Sequence, residues 1–396
     1  MDKNTIIIYH KEDADGLLSA AICWNGLLGN DKHKIMYMLN DSNNCLNTYI
    51  HQFEYNNKNS TEIDLLGTTY AELSGLINQY GSYTNLIDSW SEKYKTIIMT
   101  DISFNETGAM KYLADKFNIN FIWFDHHAPI INASYKEGFD TVPGSRETHC
   151  SAIMHVWKYF YGGLPVEFIN NLDDEHIPWI IRALSGYDSF NWEKHGIDFD
   201  TVFATSRGFE FYIKKDIKQA IQFASELITY YILHHLIDPE LISLDDLDTE
   251  QYAFEKTFED KIEKIKDYGK TIIEYENYNW EYKLKEFGDF NWTLDGHYSG
   301  QRKAVALFTQ EQTCSTYFKS LKETNPDIQN AIVFRKSNKN DGWSVSVYNI
   351  NVEDDKIYHV GNYLKKRYKK GGGHAGAGGA ILTKLQFSRI MKTKNL

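Results

Sequence analysis

Acidic and histidine residues stand at the ends of three short apolar runs, and each run leads into a helical pattern. Asp13 and Asp15 follow Thr5–Tyr9, Asp101 follows Lys95–Thr100, and Asp125, His126 and His127 follow Asn120–Phe124. The runs have the length and the β-branched or aromatic content of strands. A chain that alternates strand and helix in this way builds a largely parallel sheet covered on both faces. In such sheets ligands collect outside the carboxyl ends of the strands. Three strand ends therefore deliver carboxylates and imidazoles to one place, a donor set that suits Mn2+ or Mg2+ better than a closed thiolate zinc site.

The alternation runs to about residue 190. An apolar segment, Leu17–Leu28, follows the first strand, then a strand near Lys34–Leu39 and a polar stretch through Asn56–Asn59. Glu106–Phe117, Ser151–Tyr161 and Pro178–Ser185 read as helices, the last with Pro178 near its start. Residues 191–290 read as a helical connector. There Phe254, Phe258, Ile262, Ile265, Tyr268 and Ile272 form one stripe of a long amphipathic helix, with Asp248 and Gln251 as its capping pair. The nine acids between Asp238 and Asp260 read as a solvated face. Residues 291–396 form a small α+β domain with strands Ala304–Phe308, Ala331–Arg335, Trp343–Tyr348 and Ala380–Thr383. Asp341-Gly342 marks a hairpin, and Ser315–Thr324 and Val360–Arg367 read as helices.

Composition narrows the function classes. The 396 residues are too many for one ordinary core, so two domains are expected. With 42 Lys and Arg against 54 Asp and Glu, the net charge of −12 opposes stable binding to long duplex DNA. Cys23, Cys45, Cys150 and Cys314 are widely spaced, as in a reduced protein rather than a disulfide framework. No stretch approaches the roughly 20 apolar residues that span a bilayer, and residues 1–4 run into a strand without a signal-peptide apolar segment. The expectation is a soluble cytoplasmic protein without a membrane partner, its oligomeric state open.

Asp13-Ala14-Asp15-Gly16, Asp101 after a strand, Asp125-His126-His127 and Gly372-Gly373-His374, in this order, resemble the DHH phosphoesterase superfamily with its DHH-associated C-terminal domain. The resemblance implies an α/β fold. Residues 1–190 would be a parallel-sheet DHH catalytic domain, and residues 291–396 a smaller substrate-binding domain across an active-site cleft. It also implies two divalent ions, Mn2+ with Mg2+ as the substitute. Asp101 would bridge them, Asp13 and His10 would hold the first, and Asp15, His126 and Asp188 the second. His127 would contact the scissile phosphate and Asp125 would orient an imidazole, so Asp101, Asp125 and His127 are the catalytic set. Gly372, Gly373 and His374 would grip a substrate phosphate, with Arg335 as a further contact.

Competing readings attach to several of these residues. Asp13 and Asp15 could cap the helix that follows them, and Asp188, in Gly186-Tyr187-Asp188-Ser189, could make an Asx-turn. His10 lies three residues before Asp13, where the family commonly spaces two or four, so a bulge or shifted strand end is expected. Lys365, Lys366, Arg367, Lys369 and Lys370 add charge before the glycine loop or form a solvated helix end. The family often carries Ser-x-Arg near the end of the preceding strand. Here Ser346-Val347-Tyr348 stands there, and a tyrosine could stack on a base but cannot grip a phosphate bidentately.

Two metals that activate a water and clamp a phosphoryl group imply hydrolysis of a phosphoester. The expected activity is a metal-dependent phosphodiesterase acting on short oligonucleotides, dinucleotides or cyclic dinucleotides. A single-strand exonuclease and a pyrophosphatase or exopolyphosphatase are the competing activities, and a non-catalytic nucleotide sensor is disfavoured by the intact set of acids and histidines.

Overall fold

Strand β1, Thr5–His10, alternates its apolar side chains between two cores. Ile6 and Ile8 enter one, and Ile7 and Tyr9 enter the other. That split follows from the period of two in a strand, and it requires helices on both faces of the sheet. The computed structural model describes residues 5–28, 63–116, 118–128, 130–132, 142–161, 177–235, 244–287, 292–294, 302–309, 318, 326–328, 330–336, 342–350, 360–368, 371–373 and 377–392. Two compact units divide the chain, Met1–Ile272 and Ile273–Leu396.

In the first unit β1 leads into α1, Ala14–Leu28, and the chain continues through β2, Ile63–Thr68, α2, Tyr70–Tyr80, and α3, Tyr83–Lys93. Then come β3, Thr96–Thr100, α4, Thr107–Ala114, and β4, Asn120–Phe124. The four strands are parallel in the order β2-β1-β3-β4. The strand expected near Lys34–Leu39 lies outside the described residues. Among the described residues there follow α5, Ala152–Tyr161, α6, Trp179–Asp188, α7, Phe199–Ile213, α8, Ile217–His235, and α9, Leu244–Phe287, which runs past the end of this unit at Ile272.

One core joins Ile7, Ile98, Ile122 and Phe124 to α1, α5 and the later helices. The other joins Ile6, Ile8, Ile97, Met99, Phe121 and Trp123 to α2, α3 and α4. Because α1 is sandwiched between the sheet and the helices α5 and α8, it is apolar around its circumference.

Part of the segment read as a connector belongs to this unit. Phe209, Phe223, Phe258 and Ile265 are buried in the first core, so the aromatic stripe of α9 finds its partner there. Tyr268 of the same stripe remains about half exposed. Helix α9 starts at Leu244, which places Asp248 inside the helix rather than at its cap. Helices α7 and α9 meet at glycines. A Cβ on Gly208 would lie 1.7 Å from the Ile265 carbonyl oxygen, and one on Gly269 equally close to that of Ala204.

The second unit is a mixed sheet in the order β5-β6-β7-β8-β10-β9. Its strands are β5, Trp292–Leu294, β6, Arg302–Phe308, β7, Asn330–Lys336, β8, Trp343–Asn349, β9, Gly371–Gly373, and β10, Ala377–Leu382. Helices α10, Val360–Arg367, and α11, Lys384–Lys392, complete it. Val360, Leu364, Phe387 and Ile390 pack over one face of this sheet. The glycine run, read as a loop, begins as an edge strand, with Gly372 paired to Gly379. The helix expected at Ser315–Thr324 lies outside the described residues except for Phe318.

Candidate metal centre

Three strand ends and one helix end build the centre. His10 is the last residue of β1 and pairs with Thr68 in a regular parallel register, without a bulge. The chain then turns, and Asp13 caps α1 by accepting a hydrogen bond from Gly16 N–H at 2.9 Å through Oδ1. Its other oxygen, Oδ2, lies 2.6 Å from His10 Nδ1. The three-residue spacing is thus absorbed by the cap, and the shifted strand end expected for His10 is not needed.

Asp15 also holds a helix N-terminus, but not that of its own helix. Its two oxygens accept from Ala152 N–H and Ile153 N–H, at 2.9 and 2.8 Å, at the start of α5. The capping reading of the helix that follows therefore holds for Asp13, whereas Asp15 caps a distant helix instead, beside the cluster that the same acids form. A carboxylate at a helix N-terminus is stabilised by the helix dipole, which offsets part of the cost of burying Asp15.

Asp101 follows β3 with φ +57°, a left-handed conformation uncommon for residues other than glycine. Strain of this kind persists where the surrounding structure imposes it and clusters at functional sites. Here Asp101 N–H donates to the Phe124 carbonyl at 3.0 Å, which ties it to β4. The two carboxylate oxygens face different ways: Oδ2 is 3.6 Å from His10 Nδ1, and Oδ1 is 3.3 Å from His126 Nε2.

Asp188 reaches the same place from the last turn of α6, a helix rather than the turn read from Gly-Tyr-Asp-Ser. Its Oδ2 lies 3.0 Å from His126 Nε2, and Asp15 Oδ2 lies 3.8 Å from that nitrogen. The result is three overlapping triads of potential ligands among the described residues, His10, Asp13 and Asp101, then Asp15, His126 and Asp188, and between them Asp101, His126 and His127.

Asp125 is fully buried and is used differently. Its Oδ1 accepts from His126 N–H, from His127 N–H and from the His127 ring at Nδ1, the last at 2.7 Å. Trp123 Nε1 donates to Oδ2 at 3.2 Å. These bonds turn the His127 ring and leave its Nε2 pointing away from Asp125.

The electrostatics follow from packing so many acids together. Burial, and then the neighbouring Asp101 and Asp188, push the Asp15 carboxyl well above its ordinary range. Burial and Asp13 raise Asp101. Burial alone would lower His126, but Asp188, Asp101 and Asp15 hold it up at about 12. His10 is raised in the same way, against burial, to about 10 by Asp101 and Asp13.

Two buried oxygens, Asp101 Oδ1 and Asp188 Oδ2, make no well-aligned hydrogen bond among the described residues, although His126 Nε2 is close to both. Buried polar atoms are rarely left so. Both oxygens face His126 Nε2, at 3.3 and 3.0 Å, without a well-aligned hydrogen bond, an arrangement that fits a divalent cation, which would supply the charge that a proton on the imidazole otherwise provides. The donor set of the described residues suits a divalent metal.

Tyr70, at the start of α2, was not read from the sequence as part of the site. Its ring lies 5.9 Å from that of His10 and 6.0 Å from that of His127. The signal was present in Thr69-x-x-Glu72, a capping box that starts a helix directly after a strand end. The N–H groups of α5 that hold Asp15 carry no side-chain signature and could not be read.

Of the remaining sequence candidates, Arg335 stands on β7 of the second unit, with Nη2 3.5 Å from Ser346 Oγ and a buried Nε that has no hydrogen-bond partner. Gly372 and Gly373 stand on β9, and His374 lies outside the described residues. Tyr348 is buried against Phe318, which removes it as a surface for stacking a base.

Residues 4–172 match the N-terminal domain of the DHH family. That stretch of the chain carries a DHH N-terminal domain. The DHH match takes in β1 to β4 and all of α5, and stops short of Asp188. Among solved structures, RecJ from Thermus thermophilus in complex with Mn2+ aligns at 11% identity and a TM-score of 0.44, over 99% of this chain and 51% of its own. A pGpG-specific phosphodiesterase, PggH from Vibrio cholerae, aligns at 12% identity and a TM-score of 0.38, over 99% and 97%. An exopolyphosphatase-related protein from Bacteroides fragilis aligns at 11% identity and a TM-score of 0.38, over 99% and 91%. A search of curated proteins gives no match.

Proposed function

We propose that the protein is a divalent-metal-dependent phosphodiesterase acting on short oligonucleotides, dinucleotides or cyclic dinucleotides. The observation that carries this reading is Asp101. Its two oxygens face two different triads, as a carboxylate shared between two ions must. His10 and Asp13 would hold one ion with Asp101, and Asp15, His126 and Asp188 the other.

Two such ions, when bound, supply an activated water and neutralise charge on the phosphoryl oxygens. An imidazole in each triad favours Mn2+ over Mg2+, which prefers oxygen donors alone. Asp125 fixes the orientation of His127, so that its ring can meet the scissile phosphate, the role of an outer partner that positions an imidazole. In the second unit Arg335, Gly372, Gly373 and His374 would grip a further phosphate. We carry the division into a catalytic domain over 1–190, a connector over 191–290 and a substrate-binding domain over 291–396 as part of the same reading.

A net charge of −12 supports small or terminal substrates over long duplex DNA, which rewards a basic channel. No described helix is long and apolar enough to cross a membrane. A cytoplasmic setting belongs to the proposal.

The test is a substrate panel with Mn2+ and with Mg2+: linear and cyclic dinucleotides, short RNA, long single-stranded DNA and pyrophosphate. Turnover of dinucleotides or short RNA well above the others is the expected result. Faster digestion of long single strands would make the protein an exonuclease. Faster release of orthophosphate from pyrophosphate would make it a phosphoanhydride hydrolase.

A further inference from the structure

The loop before α5 carries a second set of metal-ligating groups that the DHH centre does not use. Glu147, His149 and Cys150 each offer one atom, and these atoms lie within 4.8 Å of one another. His149 Nε2 is 3.1 Å from Glu147 Oε2, and both side chains are more than half exposed and free to swing. Cys150 is buried, and the two ring nitrogens of His155 lie 3.7 and 3.6 Å from its sulfur. A tetrahedral zinc ion with Zn–S of about 2.3 Å and Zn–N of about 2.0–2.1 Å places its ligands about 3.3–3.6 Å apart. The Glu147–His149 separation is already close to that spacing, and the Cys150 sulfur lies within 4.8 Å of both ligand atoms, so movement of the two exposed side chains by about 1 Å brings all three to zinc distance.

We propose that Glu147, His149 and Cys150 form a zinc site that clamps this loop, with its fourth position open to water. The donor chemistry separates it from the DHH centre, since a thiolate selects Zn2+ where carboxylates and imidazole accept Mn2+ or Mg2+. On binding, the Cys150 S–H bond is exchanged for an S–Zn bond and the proton leaves to solvent. His155 backs the sulfur, held by Ser145 Oγ at 2.9 Å from Nδ1 and by the Glu147 carbonyl at 3.0 Å from Nε2.

The position gives the clamp a consequence. Ser151 follows Cys150, and the next two N–H groups are those that hold Asp15. On the other side Asn191 Nδ2 donates to the His149 carbonyl at 2.7 Å, three residues after Asp188. A zinc ion here stiffens the supports of two candidate ligands of the DHH centre without touching either.

The experiment is a Co2+ titration of the full chain carrying Asp101→Asn, followed in the near ultraviolet for the thiolate-to-cobalt charge-transfer band. Saturating Co2+ should produce the band, and Zn2+ should bleach it. Cys150→Ser should abolish it, and His149→Ala, on an exposed side chain that folding does not need, should weaken Co2+ binding by about tenfold or more. Absence of the band overturns the proposal. A band that persists in Cys150→Ser assigns the ion to another cysteine and overturns it equally. Full affinity in His149→Ala reduces the site to a lone thiol and also overturns it. Hydrolysis is not the readout, so failure here leaves the phosphodiesterase reading standing, and failure of that reading leaves this one.

Discussion

Replacing Gly16 by alanine deletes no ligand, yet it should disable the centre. Two effects of opposite sign compete. Alanine is the better helix former, by roughly 0.5–1 kcal/mol. Against that, a Cβ at position 16 would stand 2.0 Å from the His10 carbonyl oxygen and 2.7 Å from its carbon. Reaching an ordinary contact of 3.4 Å requires a shift of about 1.4 Å, and both partners are backbone, with no flexible end to give way. His10 is pinned by its pairing with Thr68, so the start of α1 has to retreat. Overpacking of this kind costs about 1–3 kcal/mol, which leaves a net destabilisation of up to about 2.5 kcal/mol after the propensity gain.

The larger effect falls on activity. His10 lies on one side of the contact, Asp13 and Asp15 on the other, and Asp13 Oδ1 is bonded to Gly16 N–H itself. A displacement of about 1 Å between reacting groups lowers rates on the order of a hundredfold. Thermal unfolding in a chelator and initial rates on a dinucleotide with Mn2+ measure the two effects separately. A Gly16→Ala protein with a wild-type melting temperature and wild-type rates would refute the close approach of α1 to the strand end, and with it the geometry of the first triad.

Asp101→Asn should keep the fold, because asparagine tolerates the positive φ, while hydrolysis falls by at least about a hundredfold. Removing one of several crowded acids should leave the metal-free melting temperature equal to wild type or higher, measurable in the same chelator scan. Asp125→Asn loses the carboxylate that orients His127, so rates should fall about 10–100-fold while calorimetric Mn2+ binding persists. Gly269→Ala drives a Cβ to 1.7 Å from the Ala204 carbonyl oxygen and should destabilise the first unit by about 1–3 kcal/mol in denaturant titrations, with rates unchanged well below the transition. Burial holds His155 down at about 4, below its ordinary 6.5, so between those values the unfolded chain binds the extra proton and stability rises with pH. Stability should therefore fall as pH drops from about 6.5 toward 4, by up to roughly 3 kcal/mol, and His155→Gln should flatten that part of the profile.

Much of the first unit was legible because its signals are local. A period of two in Thr5–Tyr9 and Asn120–Phe124 produces strands that feed two cores, and acids directly after them can only stand at the sheet's carboxyl edge. The long helix was legible from its stripe, but its start was not, because Leu244 begins the helix without the Asp248 cap. The connector reading did not anticipate Phe223, Phe258 and Ile265 in the first core, since no local pattern names the surface that an amphipathic face will meet. Strand β2 and Tyr70 were missed for a similar reason. Ile63–Thr68 is short and interrupted by Asp64 and Gly67, and its pairing with β1 creates the strand.

By itself the chain of residues determined which chemical groups would gather, because a strand's end and a side chain's donor atoms are properties of a few consecutive positions. Tertiary structure alone decided how they face one another. Asp15 is held by N–H groups 137 and 138 residues away, and Asp101 turns one oxygen to each triad only because β3 lies between β1 and β4. Contacts of that separation depend on how the helices pack over the sheet, and packing is a property of the whole unit rather than of any segment.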